Sequence, residues 1–370
     1  MSIAIVTGSG GLIGSEAVRF LTGRGLEVIG IDNDMRARFF GPEASTRLSW
    51  TGLQRNNKRY THIETDIRDS RPIDELFARF SSEIALVVHA AAQPSHDWAA
   101  QDPPTDFMIN AGGTLNMLQA TRRHCPEAVF IFCSTNKVYG DTPNRLPLIE
   151  QETRWDLPSS HRFGMHGIDE SMTIDNSMHS LFGVSKCAAD LMVQEYGRYF
   201  GMRTACFRCG CVTGPTHAGA FLHGFLSYLV KCAVSDQQYT IIGYKGKQVR
   251  DNIHAFDLAN AFWHFFENPQ IGAVYNIGGG RYASCSVIEA IRCTEDLTGH
   301  PMKFSYSAQS RAGDHVWWIS DNRRFARDYP NWRLTRNISD MILEIHDEFL
   351  EKVRLSRSPA PRRRRVGVSA

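Results

Sequence analysis

Short apolar runs alternate with helix-like stretches through the first 130 residues of the chain. The runs are IAIVTG, EVIGID, YTHIETD, IALVVHAAA and AVFIFCST. Short β-branched runs that alternate with helical segments are typical of a parallel sheet covered by helices on both faces. The pattern therefore predicts an α/β fold with a doubly wound parallel sheet.

The second half of the chain has a different pattern. Residues 181–200 (LFGVSKCAADLMVQEYGRYF) predict an amphipathic helix that ends at Gly201, and RTACFRCGCVTG predicts a further strand. Beyond about residue 214 the pattern is mixed. We therefore expect residues 1–213 to form mainly the first domain, and residues 214–350 to form mainly a smaller mixed α/β lobe interleaved with it.

One connection is unusually long and polar. Residues 155–180 precede the predicted helix and are rich in Gly, Ser and His. Long connections in compact domains are often binding loops. The segment is therefore interpreted as a lid or substrate loop, with a disordered linker as the alternative.

Composition and charge narrow the class of protein. The chain has 370 residues, of which 42% are hydrophobic and 22% charged, which excludes disorder, collagen and coiled coil. The net charge is +2, but residues 354–370 carry six arginines and no acid, so the rest of the chain carries −4. We expect this tail to be disordered and solvated, with attraction to nucleic acid or membrane as the alternative.

The cysteines and the N-terminus indicate the compartment. There is no run of eighteen apolar residues and no signal-peptide pattern at the start, so a cytoplasmic protein is expected. The nine cysteines are interpreted as reduced thiols. Cys206, Cys209 and Cys211 have no second Cys/His pair at ligand spacing, which favours buried thiols over a metal site.

A glycine pattern follows the first predicted strand. Gly8, Gly11 and Gly14 stand between IAIVT and a helix, and Asp32 ends the next strand, eighteen residues after Gly14. Glycines at this point let backbone N–H groups approach a pyrophosphate, and the carboxylate binds ribose hydroxyls, which favours NAD over NADP. Arg36 lies nearby and weakens this preference for NAD. The alternative interpretation is a glycine-rich turn that binds no ligand. Further candidate cofactor residues at the strand ends are Ile13, Asn33, Asp66, Ile67, Ala90 and Ala91.

Several longer motifs extend this prediction. They are HAAAQPSHD, Asn110 with Gly113-Thr114, STNKVYGD, a helix carrying Ser-Lys, RDNIHAFD and NIGGG. Over roughly residues 3–345 the sequence resembles the extended short-chain dehydrogenase/reductases, the family of nucleotide-sugar epimerases and dehydratases. The resemblance implies a Rossmann domain that binds NAD with help from Asn110 and Lys186, a nucleotide-sugar lobe and a homodimer.

The chain departs from that family at one catalytic position. The resemblance assigns a hydroxyl to Thr135 and the ribose-binding lysine to Lys186, but the tyrosine four residues earlier is Phe182. Phenylalanine has no titratable proton and cannot act as an acid or base. His179, on the same predicted helix, and Tyr139 are the first candidates to replace it. His96, Asp97 and Cys187 are further candidates.

A sugar nucleotide also needs cations for its diphosphate. By resemblance, Arg250 in GKQVRDNIH and Arg311 in RAGD hold that group. The remaining candidate substrate residues are His96, Thr135, Asn136 and Phe182.

Three hypotheses about function follow. The leading one is an NAD-dependent epimerase that oxidises and re-reduces a nucleoside-diphosphate hexose. The missing tyrosine motivates a second, a non-redox isomerase such as a pyranose/furanose mutase, and the third is a catalytically silent NAD-binding scaffold. No metal, nucleic acid or membrane partner is expected, and the base, the sugar and the carbon that changes stay open.

Overall fold

The computed structural model describes residues 2–217, 224–309 and 313–357. Its β-strands are β1 (Ile3–Thr7), β2 (Glu27–Ile31), β3 (Tyr60–Ile63), β4 (Ile84–His89), β5 (Val129–Thr135), β6 (Ile149–Glu150), β7 (Trp155–Asp156), β8 (Thr204–Cys209), β9 (Cys211–Thr213), β10 (Tyr239–Ile242), β11 (Val249–His254), β12 (Ala273–Ile277), β13 (Ser284–Ser286), β14 (Phe304–Ser307) and β15 (Trp317–Trp318).

Its α-helices are α1 (Leu12–Gly23), α2 (Met35–Phe40), α3 (Arg47–Asn56), α4 (Ser70–Phe80), α5 (His96–Gln101), α6 (Pro103–Phe107), α7 (Gly113–His124), α8 (Leu181–Phe200), α9 (Phe225–Val234), α10 (Ala255–Glu267), α11 (Val287–Thr298), α12 (Arg323–Asp328) and α13 (Ile338–Arg357). A π-helical turn, Met108–Gly112, joins α6 to α7. A short 3₁₀ turn, Asn136–Tyr139, follows β5.

The main sheet confirms the doubly wound parallel prediction. Its strands run in the order β12-β8-β5-β4-β1-β2-β3, and every neighbouring pair is parallel. The strand order reverses at β1, between β2 and β4. In open α/β sheets such a reversal leaves a crevice at the carboxyl ends of the strands, where ligands bind.

Apolar cores cover both faces of this sheet. One face contributes Val6, Val88 and Phe207, and the other contributes Ile5 and Phe130. All five side chains are fully buried, because strands of a parallel sheet have helices on both sides. This burial on both faces explains why the strand sequences are continuous runs of apolar residues.

A second lobe has its own core. Side chains from α9, β10, α11 and α13 pack together around Leu229, Val230 and Ile342. β11 pairs with β9, β13 and β15 in a small mixed sheet. β12 returns to the main sheet, so the two predicted segments exchange elements across residue 214.

The segment 155–180 is not the lid that its composition suggested. Phe163, Ile168 and Met172 are buried with Trp317 and Trp318 in a separate apolar cluster. Ile168 also forms a β-bridge with Ser320. These buried anchors hold the segment on the protein body, and composition could not reveal them because the two tryptophans lie about 150 residues away in the chain.

The helix predicted over residues 181–200 is confirmed with both boundaries. Ser180 caps it by accepting a hydrogen bond from Gly183 N at 3.1 Å, and Gly201 ends it in the left-handed conformation at φ 69°. The predicted tail begins later than residue 354, because α13 continues to Arg357. The rest of the tail, residues 358–370, lies outside the described residues.

Candidate active site and cofactor cleft

A cavity of about 560 Å³ lies at the carboxyl ends of the main strands. Side chains that follow β1, β2, β4, β5 and β8 line one part of it. Residues of the second lobe, among them Tyr239, Gln248 and Arg250, line the other part. The cavity therefore joins the predicted cofactor cleft to the predicted substrate lobe.

The glycine turn forms the floor of the cofactor part. Gly8 has a φ of 65°, a conformation that favours glycine, and its N–H donates to Ile31 O at 2.7 Å. A Cβ at Gly14 would collide with the carbonyl oxygen of Gly8. The chain can therefore turn from β1 into α1 this tightly only with glycines, as a pyrophosphate cradle requires.

Asp32 lies beside this turn and lines the cavity. Its Oδ2 accepts from Gly10 N at 2.9 Å, and its Oδ1 accepts from Thr46 Oγ1 at 2.9 Å. The carboxylate is thus held at the end of β2, where it suits ribose hydroxyls. Arg36 lines the same cavity, and burial lowers the pKa of its guanidinium.

Three of the candidate cofactor residues, from the ends of β2 and β3, come together as a group. Asn33, Asp66 and Ile67 line the cavity, and Asn33 Nδ2 donates to Asp66 Oδ2 at 3.0 Å. Burial acts to raise the pKa of Asp66, but hydrogen bonds and charge from Arg68 outweigh it and hold that pKa below its usual value. Ile13, Ala90 and Ala91 complete the lining.

Two predicted cofactor residues lie outside the cavity lining. Asn110 is buried, and its amide exchanges hydrogen bonds with the Gln93 backbone and donates to Ser185 Oγ at 3.0 Å. Lys186 is also buried, with Nζ donating to Cys133 O at 2.8 Å and lying 4.1 Å from the centre of the Phe132 ring. Burial lowers the pKa of Lys186 to about 8. Through these bonds Asn110 connects the segment after β4 to α8, and Lys186 connects α8 to β5.

The residues around the missing tyrosine do line the cavity. Thr135, Asn136, Phe182 and His96 all face it, and Phe182 is 7% exposed. The rings of His96 and Phe182 meet edge to face, with centroids 5.0 Å apart. The predicted substrate residues on the main domain are therefore brought together at one place.

Two candidates to replace the tyrosine are placed elsewhere. His179 precedes the helix cap instead of sharing the helix, and its Nδ1 and Nε2 lie 3.1 Å and 2.7 Å from Ser177 O and Val138 O. Tyr139 is fully buried, donates to Asn276 Oδ1 at 2.7 Å and accepts from Arg208 at 2.9 Å. Burial raises the pKa of Tyr139 to about 12. Neither side chain lines the cavity.

Charged groups meet in the substrate part. Arg250 Nη2 donates to Asp314 Oδ1 at 2.9 Å, and Lys137 Nζ lies 3.9 Å from the same carboxylate. All three residues line the cavity. Arg311, the second predicted diphosphate ligand, lies outside the described residues. Sequence reasoning overlooked Lys137 and Asp314, although both stand inside the quoted motifs STNKVYGD and RAGD.

Three buried polar atoms in this part have no hydrogen-bond partner among the described residues. They are Thr213 Oγ1, Gln248 Oε1 and Asn252 Oδ1. Their side chains are at most 7% exposed, and all line the cavity. Buried polar atoms are normally hydrogen-bonded, and these three are available to a polar group that enters the cavity. This signal is tertiary, and only the structure reveals it.

The thiols are all free, and several lie close to the cavity. Cys209 and Cys211 line it, and burial raises the pKa of Cys211 to about 11. Within residues 2–217, 224–309 and 313–357, no group of three or more potential metal ligands occurs. Across the same ranges, no helix combines the length and apolar character needed to span a membrane.

Fold and site together define a class of protein, the Rossmann-type enzymes whose dinucleotide cleft opens into a substrate lobe. Residues 4–278 match the NAD dependent epimerase/dehydratase family, and the chain belongs to that family. The predicted family, fold class and NAD cofactor are thereby confirmed.

Individual relatives support this assignment. The chain is 30% identical to CDP-paratose 2-epimerase of Salmonella typhi, a match that covers 93% of this chain and 98% of the relative. It is 27% identical to UDP-glucose 4-epimerase of Halalkalibacterium halodurans, with 86% and 87% covered. The solved UDP-glucuronic acid 4-epimerase from Bacillus cereus, in complex with UDP-glucuronic acid and NAD, has a similar fold with a TM-score of 0.76, 23% identity, and 95% and 100% covered.

Proposed function

We propose that this chain is an NAD-dependent epimerase that inverts a hydroxyl-bearing carbon of a nucleoside-diphosphate hexose by transient oxidation and re-reduction. The observation that carries the proposal is the shared cavity, which is lined by the glycine turn and Asp32 at one part and by Arg250 at the other. Thr135 and Asn136 line the same space. A sugar bound there would be close to the cofactor and held by its nucleotide in the second lobe.

The cofactor part suits NAD on the geometry of this chain. The backbone of the turn after β1 leaves room for a pyrophosphate, because a Cβ at Gly14 would fill the turn. Asp32 supplies the ribose acceptor, and Asn33, Asp66 and Ile67 supply the adenine edge. When bound, NAD would take a hydride from the sugar carbon and return it to the opposite face.

The substrate part suits a nucleoside diphosphate. Arg250 and Lys137 provide two cations at one carboxylate, which leaves a positive charge for phosphate oxygens. The unpartnered atoms of Thr213, Gln248 and Asn252 provide hydrogen-bonding groups for polar parts of the ligand. A CDP-hexose is the first substrate to test, since the relative from Salmonella typhi is a CDP-paratose 2-epimerase by name.

The test is turnover of CDP-, UDP-, GDP- and dTDP-hexoses followed by NMR, with the NAD content of the denatured protein measured alongside. We expect one hexose to be converted to an epimer with no net NADH, and a kinetic isotope effect when deuterium replaces the hydrogen on the reacting carbon. Conversion that is equally fast without NAD would instead support the non-redox isomerase. Binding without conversion of any of these hexoses would support the silent scaffold.

We also propose that the chain forms a homodimer through α7 and α8. Leu181, Val184 and Leu191 of α8 are between 42% and 47% exposed, and Leu115 of α7 is 38% exposed. Exposed apolar residues on two adjacent long helices are what a second copy would cover by a two-fold contact. The nine free thiols support a cytoplasmic location for this dimer.

A further inference from the structure

The proposed reaction requires a proton acceptor close to the sugar hydroxyl, and Phe182 cannot serve. Phe182 nevertheless lines the cavity beside Thr135, so the acceptor should be a titratable group that also lines this part. Among the described residues, the titratable groups of the cavity lining include His96, Lys137, Cys209, Cys211 and Asp314, besides Arg250, His217, Tyr228 and Tyr239. Burial raises the pKa of both tyrosines and lowers that of His217 to about 3, which leaves all three poor proton acceptors.

His96 is the titratable side chain that contacts Phe182 directly. The two rings are 5.0 Å apart between centroids and tilted by 65°, so the edge of one faces the other. Both side chains also line the cavity, so the imidazole lies beside the position of the missing tyrosine's ring and within reach of a bound ligand.

A hydrogen bond fixes the orientation of His96. Its Nδ1 lies 2.7 Å from Ser180 Oγ, which also accepts from Gly183 N at 3.1 Å as the cap of α8. A serine oxygen has two lone pairs, so it can accept both from Gly183 N and from an Nδ1–H. That tautomer places the basic lone pair on Nε2, and the bond to Ser180 persists when the ring becomes protonated.

The backbone at Gly313 approaches the same Nδ1 edge of the ring closely. Gly313 has a φ of 78°, and a Cβ there would lie 2.9 Å from His96 Nδ1. The carbonyl of Gly313 accepts from Lys137 Nζ at 2.9 Å. Among the described charged groups, Lys137 and Asp314 therefore lie next to Gly313, and the exposed Asp97 follows His96 on its own helix, while Ser180 and Phe182 carry no charge.

The remaining cavity groups are less suited to accept a proton. Burial raises the pKa of Cys211 to about 11 and that of Cys209 well above its ordinary value, so both thiols stay protonated at neutral pH. Lys137 is a cation that donates to Gly313 O beside the Asp314 carboxylate. Asp314 is engaged by Arg250 at 2.9 Å.

We propose that His96 is the general acid–base residue of this enzyme, with Nε2 as the atom that carries the proton. The inference rests on the proposed epimerase function. In the oxidation, hydride would pass from the sugar carbon to NAD while the hydroxyl proton passes to Nε2 and the C=O bond forms. In the return half-reaction hydride would go back to the opposite face of that carbon and the proton from Nε2 to the oxygen, so that protons and electrons balance over the cycle.

The test compares His96→Asn and His96→Gln with the wild type in full-length enzyme loaded with NAD. General acid–base groups contribute roughly 10²–10⁴-fold to rate, so we expect kcat to fall at least about 100-fold in both variants. NAD content and the Kd for the nucleotide sugar should stay within about threefold of wild type. His300→Asn, outside the cavity lining, is the matched control and should keep full activity.

A pH profile separates catalysis from a structural effect. Wild-type kcat should fall on the acid side as the catalytic imidazole becomes protonated, whereas the residual rate of His96→Asn should lack that limb. Variants that bind both ligands and keep kcat within threefold would overturn the role of His96, as would an unchanged acid limb. A wild type that converts no nucleotide hexose would instead count against the proposed function itself.

Discussion

The main difference between this chain and the family pattern is at Phe182, which stands where the family has its catalytic tyrosine. Phe182 is buried against His96, while Lys186, one helical turn later, is bound to Cys133 O and lies outside the cavity lining. We therefore expect a tyrosine at this position to gain little from that cation, since Lys186 Nζ is already bound to Cys133 O. The departure from the family pattern therefore involves the placement of His96 and Lys186 as well as the substitution at Phe182.

Introducing a tyrosine at position 182 should not increase the catalytic rate. We expect Phe182→Tyr to have kcat equal to or lower than wild type, because the new hydroxyl must be buried without the lysine to support it. The measurement is steady-state kinetics on the substrate identified by NMR. A rise of tenfold or more would show that Lys186 reaches the reaction centre in the working enzyme.

Arg250 should contribute to binding of the nucleotide sugar and not to binding of NAD. Its guanidinium is 11% exposed and lines the substrate part, and hydrogen bonds to charged groups contribute about 1.5–3 kcal/mol. We expect Arg250→Met to weaken binding of CDP, UDP or the best nucleotide about 10- to 100-fold by calorimetry, with NAD binding unchanged. Arg71→Met, on the surface, is the control, and equal affinities in both variants would remove Arg250 from the diphosphate site.

The elements of this fold were predictable where their pattern is strong and local. α8 begins and ends as its amphipathic pattern, Ser180 cap and Gly201 indicate. The segment 155–180 was predicted wrongly, because its few apolar residues pack against Trp317 and Trp318, a contact with no local signal. Local reasoning also placed His179 on this helix, although it lies one residue before Ser180, the N-cap at which the helix begins.

The exposed apolar face of helix α8 leads to a prediction about the oligomeric state. We expect Leu191→Glu and Val184→Glu to convert a dimer into a monomer, since each buries a charge in the proposed contact. Light scattering after size exclusion at micromolar concentration measures the mass. Leu297→Glu on α11, with a side chain 37% exposed, should leave the mass unchanged. A wild type that is monomeric, or variants that stay dimeric, would contradict the proposed interface.

At the scale of the whole molecule, buried neutral histidines link stability to pH. Burial lowers the pKa of His89 to about 3 and that of His217 to about 3, well below the ordinary value. Between pH 6.5 and 3 the unfolded chain binds these protons and the folded chain does not, so stability falls as pH falls. Asp251, whose pKa burial raises to about 6, opposes this trend between pH 6 and 4.

The contribution of His89 can be isolated by substitution. We expect His89→Gln to gain about 2 kcal/mol relative to wild type when the pH is lowered from 7 to 5, because glutamine has no proton to take up on unfolding. Urea unfolding at pH 7, 6 and 5 gives the free energies. His300→Gln serves as the control. Parallel curves for wild type and His89→Gln would show that His89 takes up its proton over the same pH range in the folded and the unfolded protein.

The sequence by itself determined the doubly wound sheet, the glycine turn with Asp32, the family and the loss of a titratable group at Phe182. These features are encoded within short stretches, because strand burial, a tight turn and a missing hydroxyl each depend on neighbouring residues. Only the tertiary structure decided which polar groups face the cavity. It sets Asn110, Tyr139 and Lys186 outside the lining and brings His96 against Phe182, 86 residues later in the chain. Such contacts form when the strand ends converge on one edge of the sheet, and no local pattern records which side chains then meet.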